Sequence, residues 1–117
     1  MKPADLRTEL EPVWCSGCGD FGVLKGLTQA LTDLEVAPEK LAVVSGIGCS
    51  SRLAGYVKAY SFNSIHGRAL PIATGLKSAR PDLTTIVVGG DGDGFSIGLG
   101  HIPHAVRRAW HLAWSRT

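Results

Sequence analysis

An α/β fold, a parallel sheet with flanking helices, is predicted by three features of this sequence. Short continuous apolar runs alternate with segments whose apolar residues recur at helical spacing. Many of the 15 glycines cluster directly after those runs, where a parallel sheet places its ligand-binding loops. The length, 117 residues, allows one domain and one core.

Residues 1–14 are polar and proline-containing and read as an extended lead-in. A helix follows from Asp20, read as its N-cap, with Val23, Leu24, Leu27, Ala30, Leu31 and Leu34 on one face. Val36-Ala37-Pro38 ends it. "LAVVS" (41–45), with its paired valines, reads as a buried strand leading into a "GIG" loop. Residues 50–59 suit a helix. "HGRALPIATGLKSA" (66–79) gives a second apolar face through Leu70, Ala73, Leu76 and Ala79, with Pro71 in the first turn. "LTTIVVGG" (83–90) is the clearest strand of the chain, "DGDGFSIGLG" is a glycine loop, and residues 101–110 read as a further helix. No internal repeat or low-complexity linker interrupts this pattern.

Composition narrows the function classes. With 44% hydrophobic residues, 19% charged and a formal net charge of +2, neither nucleic acid nor an anionic membrane is the expected partner. No run approaches the roughly 18 apolar residues needed to span a bilayer. The N-terminus has no apolar signal core, so the expected compartment is the cytoplasm, where thiols stay reduced. Three cysteines are an odd count, which a pure disulfide framework would not use.

The loops carry the chemistry. Both "GIGCSS" (46–51) and "GGDGDGFS" (89–96) follow strands, where backbone N–H groups and the next helix start can meet an anion. The second loop adds Asp91 and Asp93. Carboxylates beside a phosphate cradle are unfavourable unless a cation lies between, and Mg²⁺ is the usual one. A Mg²⁺-bridged diphosphate is one reading; a tight turn with solvated or helix-capping aspartates is the other. Cys15 and Cys18 form a C-x-x-C pair, and Cys49 lies in the first glycine loop. A shared metal or [4Fe–4S] cluster, a Zn²⁺ site, a thioredoxin-like couple and half-buried thiols are all compatible with that spacing. The redox couple is disfavoured because "TELEPVW" makes a poor preceding strand. His101 and His104 read as surface or capping groups, Arg107 and Arg108 as partners of a helix C-terminal dipole. Trp14 reads as packing beside the cysteines.

"WCSGCGDFGVL", "SGIGCSSR", "HGRALPIATGLK" and "GGDGDGFSIG", in that order and spanning about residues 11–109, resemble the beta subunit of 2-oxoacid:ferredoxin oxidoreductases, most nearly the two-subunit 2-oxoglutarate type. The resemblance implies a partial thiamine diphosphate-binding fold. It implies Cys15, Cys18 and Cys49 as [4Fe–4S] ligands and Asp91 as a Mg²⁺ ligand, with Gly92 and Asp93 beside the cofactor diphosphate. Ile47, Gly48, Cys49 and Ser50 would line the thiamine, His66 would approach the diphosphate, and Arg52 would meet the substrate carboxylate. The implied reaction is oxidative decarboxylation of a 2-oxoacid to acyl-CoA and CO₂. The thiazolium acts as electron sink, and electrons leave through the cluster to ferredoxin. An alpha subunit is the implied partner and would supply the carboxylate that activates the cofactor.

Two departures from that pattern shape the expectation. Asn63 stands where the family commonly has His. After "HAVRR" the chain reads "AWHLAWSRT" instead of an apolar strand leading to the Asn that completes the Mg²⁺ motif, and no fourth cysteine is present. Residues 1–117 are thus expected to be the N-terminal part of the cofactor-binding domain, a truncated or frame-shifted fragment, divergent or out of frame from about Ala109, with Trp110 and Trp114 expected to lack a role. The chain alone is expected to hold both cofactors weakly and to be inactive. The competing expectation is a small non-catalytic module with its cysteines on Zn²⁺, which leaves "GGDGDG" without a reason.

Overall fold

In the computed structural model, which describes residues 2–108 and the backbone of residues 112–116, a single parallel sheet organises the chain. Its strands are β1 (Leu41–Ser45), β2 (Tyr60–Asn63), β3 (Thr84–Gly89) and β4 (Leu112–Arg116), in the order β2-β1-β3-β4. The helices are α1 (Asp20–Asp33), α2 (Ala69–Ala79) and α3 (Ile102–Arg107).

The continuous apolar runs in β1 and β3 follow from coverage on both faces. All of β1 is buried, and all of β3 after Thr84. Leu41, Val43, Ile86 and Val88 pack with Leu24 and Leu31 of α1, Trp14, Leu53, Tyr56 and the fully buried Leu6. Val44 and Val87 point the other way, onto Leu70 and Ala73 of α2 and Ile102 and Ala105 of α3. The 50–59 segment lies on the α1 face and α2 on the opposite one, as right-handed crossovers require when strands are added on opposite sides of β1. The order therefore reverses between β1 and β3. Their carboxyl ends form the topological switch point of the sheet, the crevice where such folds bind ligands.

Several expectations are corrected. Residues 1–14 are not simply extended: Pro3–Leu6 form a short 3₁₀ turn, and Arg7 bridges to Val57. The helix expected over 50–59 is a 3₁₀ segment, Cys49–Gly55. Gly19, not Asp20, is the N-cap of α1; Asp20 is buried in its first turn. Ala30 and Leu34 are exposed because α1, beyond Asp20, buries only the narrower stripe Leu24, Thr28 and Leu31. In α2, Ala79 is exposed while Lys77 is buried, its Nζ donating to the Pro81 and Leu83 carbonyls at 2.9 and 2.5 Å. That ammonium satisfies the turn into β3, a pattern apolar spacing does not report.

Two strands were not expected. The four residues of β2 are all exposed, so no buried stripe marks them; β2 exists because its backbone pairs with β1 from Ala42↔Tyr60 to Ser45↔Asn63. The larger correction is β4. The C-terminal segment, read as lacking the family's strand, pairs in parallel with β3 from Thr85↔Leu112 to Gly89↔Arg116. Strand pairing runs through backbone groups, and "LAWSR" contains neither proline nor glycine to oppose it. The expectations for Ala109, Trp110, His111 and Thr117 lie outside the described residues, as does the side chain of Trp114.

Candidate functional site

The loops after β1 and β3 meet at the switch point. The Gly46 N–H donates to the Val88 carbonyl and the Gly90 N–H to the Ile47 carbonyl, both at 2.8 Å. Contact this close excludes side chains: a Cβ on Gly48 would lie 2.8 Å from the Gly90 Cα, and one on Gly90 2.8 Å from the Ile47 oxygen. Gly48 also has φ +132°, a conformation side chains rarely adopt. Glycine is required on both sides of this seam.

The two aspartates of "GDGDG" diverge. Asp91 is exposed at the mouth of the loop and forms no ion pair among the described residues. Asp93 is 4% exposed. Its Oδ1 accepts from the Gly67 N–H at 2.5 Å and lies 3.4 Å from the His66 Nδ1. Its Oδ2 sits against Gly46 and Gly89, where a Cβ on either would overlap it. The segment read as an open glycine loop instead coils: Asp93–Ile97 form a π-helical turn, in which the Gly98 N–H donates to the Asp93 carbonyl at 3.0 Å. That turn is what drives Asp93 inward.

Beside the first loop a cleft of about 450 Å³ is lined by Gly46, Ile47, Gly48, Ser51, Arg52 and Ser64, among others. Ile47, Gly48 and Arg52 are exposed. Ser50 does not line the cleft, but its hydroxyl, like that of Ser51, is buried without a hydrogen-bond partner among the described residues. Buried hydroxyls of this kind are normally satisfied, by protein, water or ligand. Asn63 closes the far wall, where its Oδ1 accepts from the Ser45 hydroxyl at 2.7 Å. Sequence reasoning flagged Asn63 as a departure but gave no sign of this bond, which depends on the β1–β2 register.

The cysteines lie on the α1 side of the sheet. Cys15 and Cys18 bracket a tight turn closed by the Cys18 N–H on the Cys15 carbonyl at 3.0 Å. The link to Cys49 is Trp14. Its indole N–H donates to the Cys49 carbonyl at 2.6 Å, and its ring packs edge-on against Phe21 and Tyr56, with centroids 5.4 and 5.2 Å away. Trp14 therefore packs beside the cysteines, as expected, and also fastens their two loops together. Cys15 and Cys49 are exposed, Cys18 half-buried, and all three thiols are free. Among the described residues no group of three or more His, Cys, Asp or Glu side chains converges as a metal site. The Asp20 N–H directed at the Cys18 sulfur favours its thiolate, but desolvation and the Asp20 carboxylate prevail and raise this thiol above its ordinary value.

His101, His104 and Arg108 line a separate cleft of about 550 Å³ between α2 and α3, on the other face of the sheet from the cysteines. They take no part in the switch-point site. No helix among the described residues is long and apolar enough to cross a membrane.

The model of the family described as thiamine pyrophosphate enzyme, C-terminal TPP binding domain, matches residues 46–114, which contain both glycine loops. A beta subunit of 2-oxoacid:ferredoxin oxidoreductase 2 from Aeropyrum pernix is 52% identical over 89% of this chain and 34% of its own length. Subunit KorB of a 2-oxoglutarate oxidoreductase from Mycobacterium tuberculosis is 50% identical over 92% of this chain and 29% of its own. Among solved structures, a 2-oxoglutarate:ferredoxin oxidoreductase from Magnetococcus marinus, with 2-oxoglutarate, coenzyme A and succinyl-CoA bound, superposes with a TM-score of 0.97 at 48% identity, over 100% of this chain and 40% of that one. The chain thus spans about a third of the length of the curated relatives it matches.

Proposed function

The chain belongs to the thiamine pyrophosphate enzymes that carry the C-terminal TPP binding domain, and from that premise we propose that residues 1–117 are the N-terminal part of a thiamine diphosphate-binding domain in a 2-oxoacid:ferredoxin oxidoreductase beta subunit. The substrate class is 2-oxoacids, with 2-oxoglutarate favoured by the names of the relatives. The observation that carries the reading is the glycine seam at the switch point: two loops in backbone contact, with Ser50 and Ser51 hydroxyls nearby that have no partner, and an Asp91 that forms no ion pair, among the described residues.

Those residues fit the cofactor. The cleft of about 450 Å³ beside Gly46 and Gly48 gives room for it at the loop mouth, and the buried Ser51 hydroxyl on that cleft has no partner among the described residues, which a bound group can supply. Asp91 would hold Mg²⁺ against the diphosphate, with Gly92 beside it. Ile47, Gly48, Cys49 and Ser50 would line the thiamine. Thiamine diphosphate supplies, when bound, the electron sink for loss of CO₂ from a 2-oxoacid. Arg52, exposed on the cleft, would orient the substrate by its carboxylate. Ile47, Phe95, Ile97 and Leu99 are exposed apolar residues of the two loop regions. A partner alpha subunit would cover them and exclude water.

Cys15, Cys18 and Cys49 would bind a [4Fe–4S] cluster, which distributes its thiolates over separate irons and so does not need them to converge on one point. Electrons would leave for ferredoxin, with coenzyme A taking the acyl group. A cluster normally takes four thiolates and this sequence offers three, so a further ligand would come from outside it. On this reading the chain alone binds cofactors weakly and does not turn over.

Anaerobic reconstitution with iron, sulfide, thiamine diphosphate and Mg²⁺ tests the proposal. Substoichiometric iron–sulfur absorption and no 2-oxoacid-dependent dye reduction are expected of the chain alone. One tightly held zinc per chain after aerobic purification, with no response to thiamine diphosphate at millimolar concentration, would establish the small zinc module instead.

A further inference from the structure

The cleft beside the first glycine loop is rich in donors and poor in acceptors. Among the described residues no carboxylate lines it, and Arg52 on its wall forms no hydrogen bond or ion pair. Asn63 adds a second group, from β2, and the fold sets which way its amide faces. Ser45 is 1% exposed, and its hydroxyl donates to the Asn63 Oδ1 at 2.7 Å. Were the amide turned over, that hydroxyl would accept from the nitrogen and find no acceptor for its own proton among the described residues. The register Ser45↔Asn63 places the two side by side. Directly after Asn63 the chain is pinned, because the Ser64 N–H and hydroxyl both donate to the Ser45 carbonyl at 2.8 Å. The Asn63 Nδ2 hydrogens are then left without a protein acceptor among the described residues, on an exposed side chain that lines the cleft.

We propose that Asn63 is a specificity-determining residue: its Nδ2 donates to the second carboxylate of a dicarboxylic 2-oxoacid, the one that Arg52 does not take. The inference rests on the reading of the site given above for the class of its substrate; the orientation of the amide does not depend on that reading. Every 2-oxoacid carries the carboxylate beside its keto group, which Arg52 orients. Only a dicarboxylic one brings a second, and a cleft with a cation, a fixed amide donor and no carboxylate of its own suits such a dianion. A substrate that ends in a methyl group would leave the amide donor unpaired, and a site built to hydrogen-bond a ligand rejects the analogue that lacks the partner. Ser45 acts one step back, as the hydroxyl that holds the amide oxygen away from the ligand.

Asn63 is the only asparagine of the sequence, so its side-chain NH₂ signals are unambiguous in ¹H–¹⁵N spectra of the asparagine-labelled chain. Titration with 2-oxoglutarate should move them. 2-Oxovalerate, in which a methyl replaces the second carboxylate, should leave them in place and bind about tenfold more weakly. Equal affinity for the two acids, or 2-oxoglutarate that leaves the NH₂ signals unmoved, would overturn the proposal. Asn63→Asp keeps an acceptor for the Ser45 hydroxyl and removes the donor. Its unfolding midpoint should match the wild type, while the preference for 2-oxoglutarate, read from the Ser51 and Arg52 amides, should vanish. A folded Asn63→Asp chain that keeps the preference would mean that Asn63 serves only the β1–β2 pairing; where the variant fails to fold, the wild-type comparison still decides. The titrations are run without thiamine diphosphate and again with it and Mg²⁺. Seam amides that respond to the cofactor beside an indifferent Asn63 refute the role of Asn63 alone. An Asn63 response in a chain that ignores thiamine diphosphate upholds that role and refutes the cofactor reading.

Discussion

The carboxylate loop and the cysteine loop both border the loop after β1, yet they are built on opposite plans. Around Asp93 the chain is held by exclusion: glycines on three segments approach until no Cβ fits, and one buried acid fills the remaining space. Around Cys15 and Cys18 it is held at one remove. The thiols are exposed or half-buried, and the fastening is the Trp14 indole on the Cys49 carbonyl. The first plan leaves no room for side chains, so almost any substitution there disturbs the fold. The second leaves the thiol side chains outside the packing, so the cysteines should be able to change while the fold survives.

The largest effect should come from the first region. Gly46→Ala places a methyl onto the Asp93 carboxylate; a loss of about 3 kcal/mol in chemical denaturation is expected, the upper range for overpacking. A neutral result would break the comparison. Next, Trp14→Phe keeps most of the aromatic packing but removes the indole donor to Cys49. About 1 kcal/mol of stability should go with it, and iron incorporation should fall, since the two cysteine loops lose their tie. Cys15→Ser should abolish iron incorporation while the unfolding free energy stays within about 0.5 kcal/mol of wild type, as for other exposed positions. If Cys15→Ser unfolds the chain, the thiols are structural.

The smallest effect is remote from both loops. Asp82, between Arg80 and Lys40, has its carboxyl held well below the usual carboxylate range, first by the Arg80 hydrogen bond and then by Lys40. A depressed acid contributes stability above its unfolded value, about pH 3.9, and loses it as pH falls toward the folded value. Asp82→Asn should therefore cost little at neutral pH, because the pair is exposed. The difference from wild type should shrink in thermal melts below about pH 3.9.

How much of this was legible follows the same division. The buried strands were visible as apolar runs because both faces of β1 and β3 are covered, and the glycine seam was visible because close backbone contact demands one residue type. The exposed strand β2 and the strand β4 were not, since pairing uses backbone groups that every residue carries. The family resemblance gave Asp91 and Asp93 different roles, but the residues alone did not show that their environments differ. Two identical side chains two residues apart take opposite environments because a π-helical turn rotates one of them inward. The Trp14–Cys49 bond joins residues 35 apart in sequence and awaited the fold.

The central claim is that the seam between the β1 and β3 loops binds the diphosphate of thiamine diphosphate through Mg²⁺. Amide chemical-shift mapping reads it most directly, because it registers binding even at millimolar affinity. With Mg²⁺ present, thiamine diphosphate should move the amides of residues 46–50, 66–67 and 89–93, leave the His101 and His104 cleft unmoved, and lose its effect in Asp91→Asn. Shifts in the α2–α3 cleft instead, or an unaltered response in Asp91→Asn, would contradict the account.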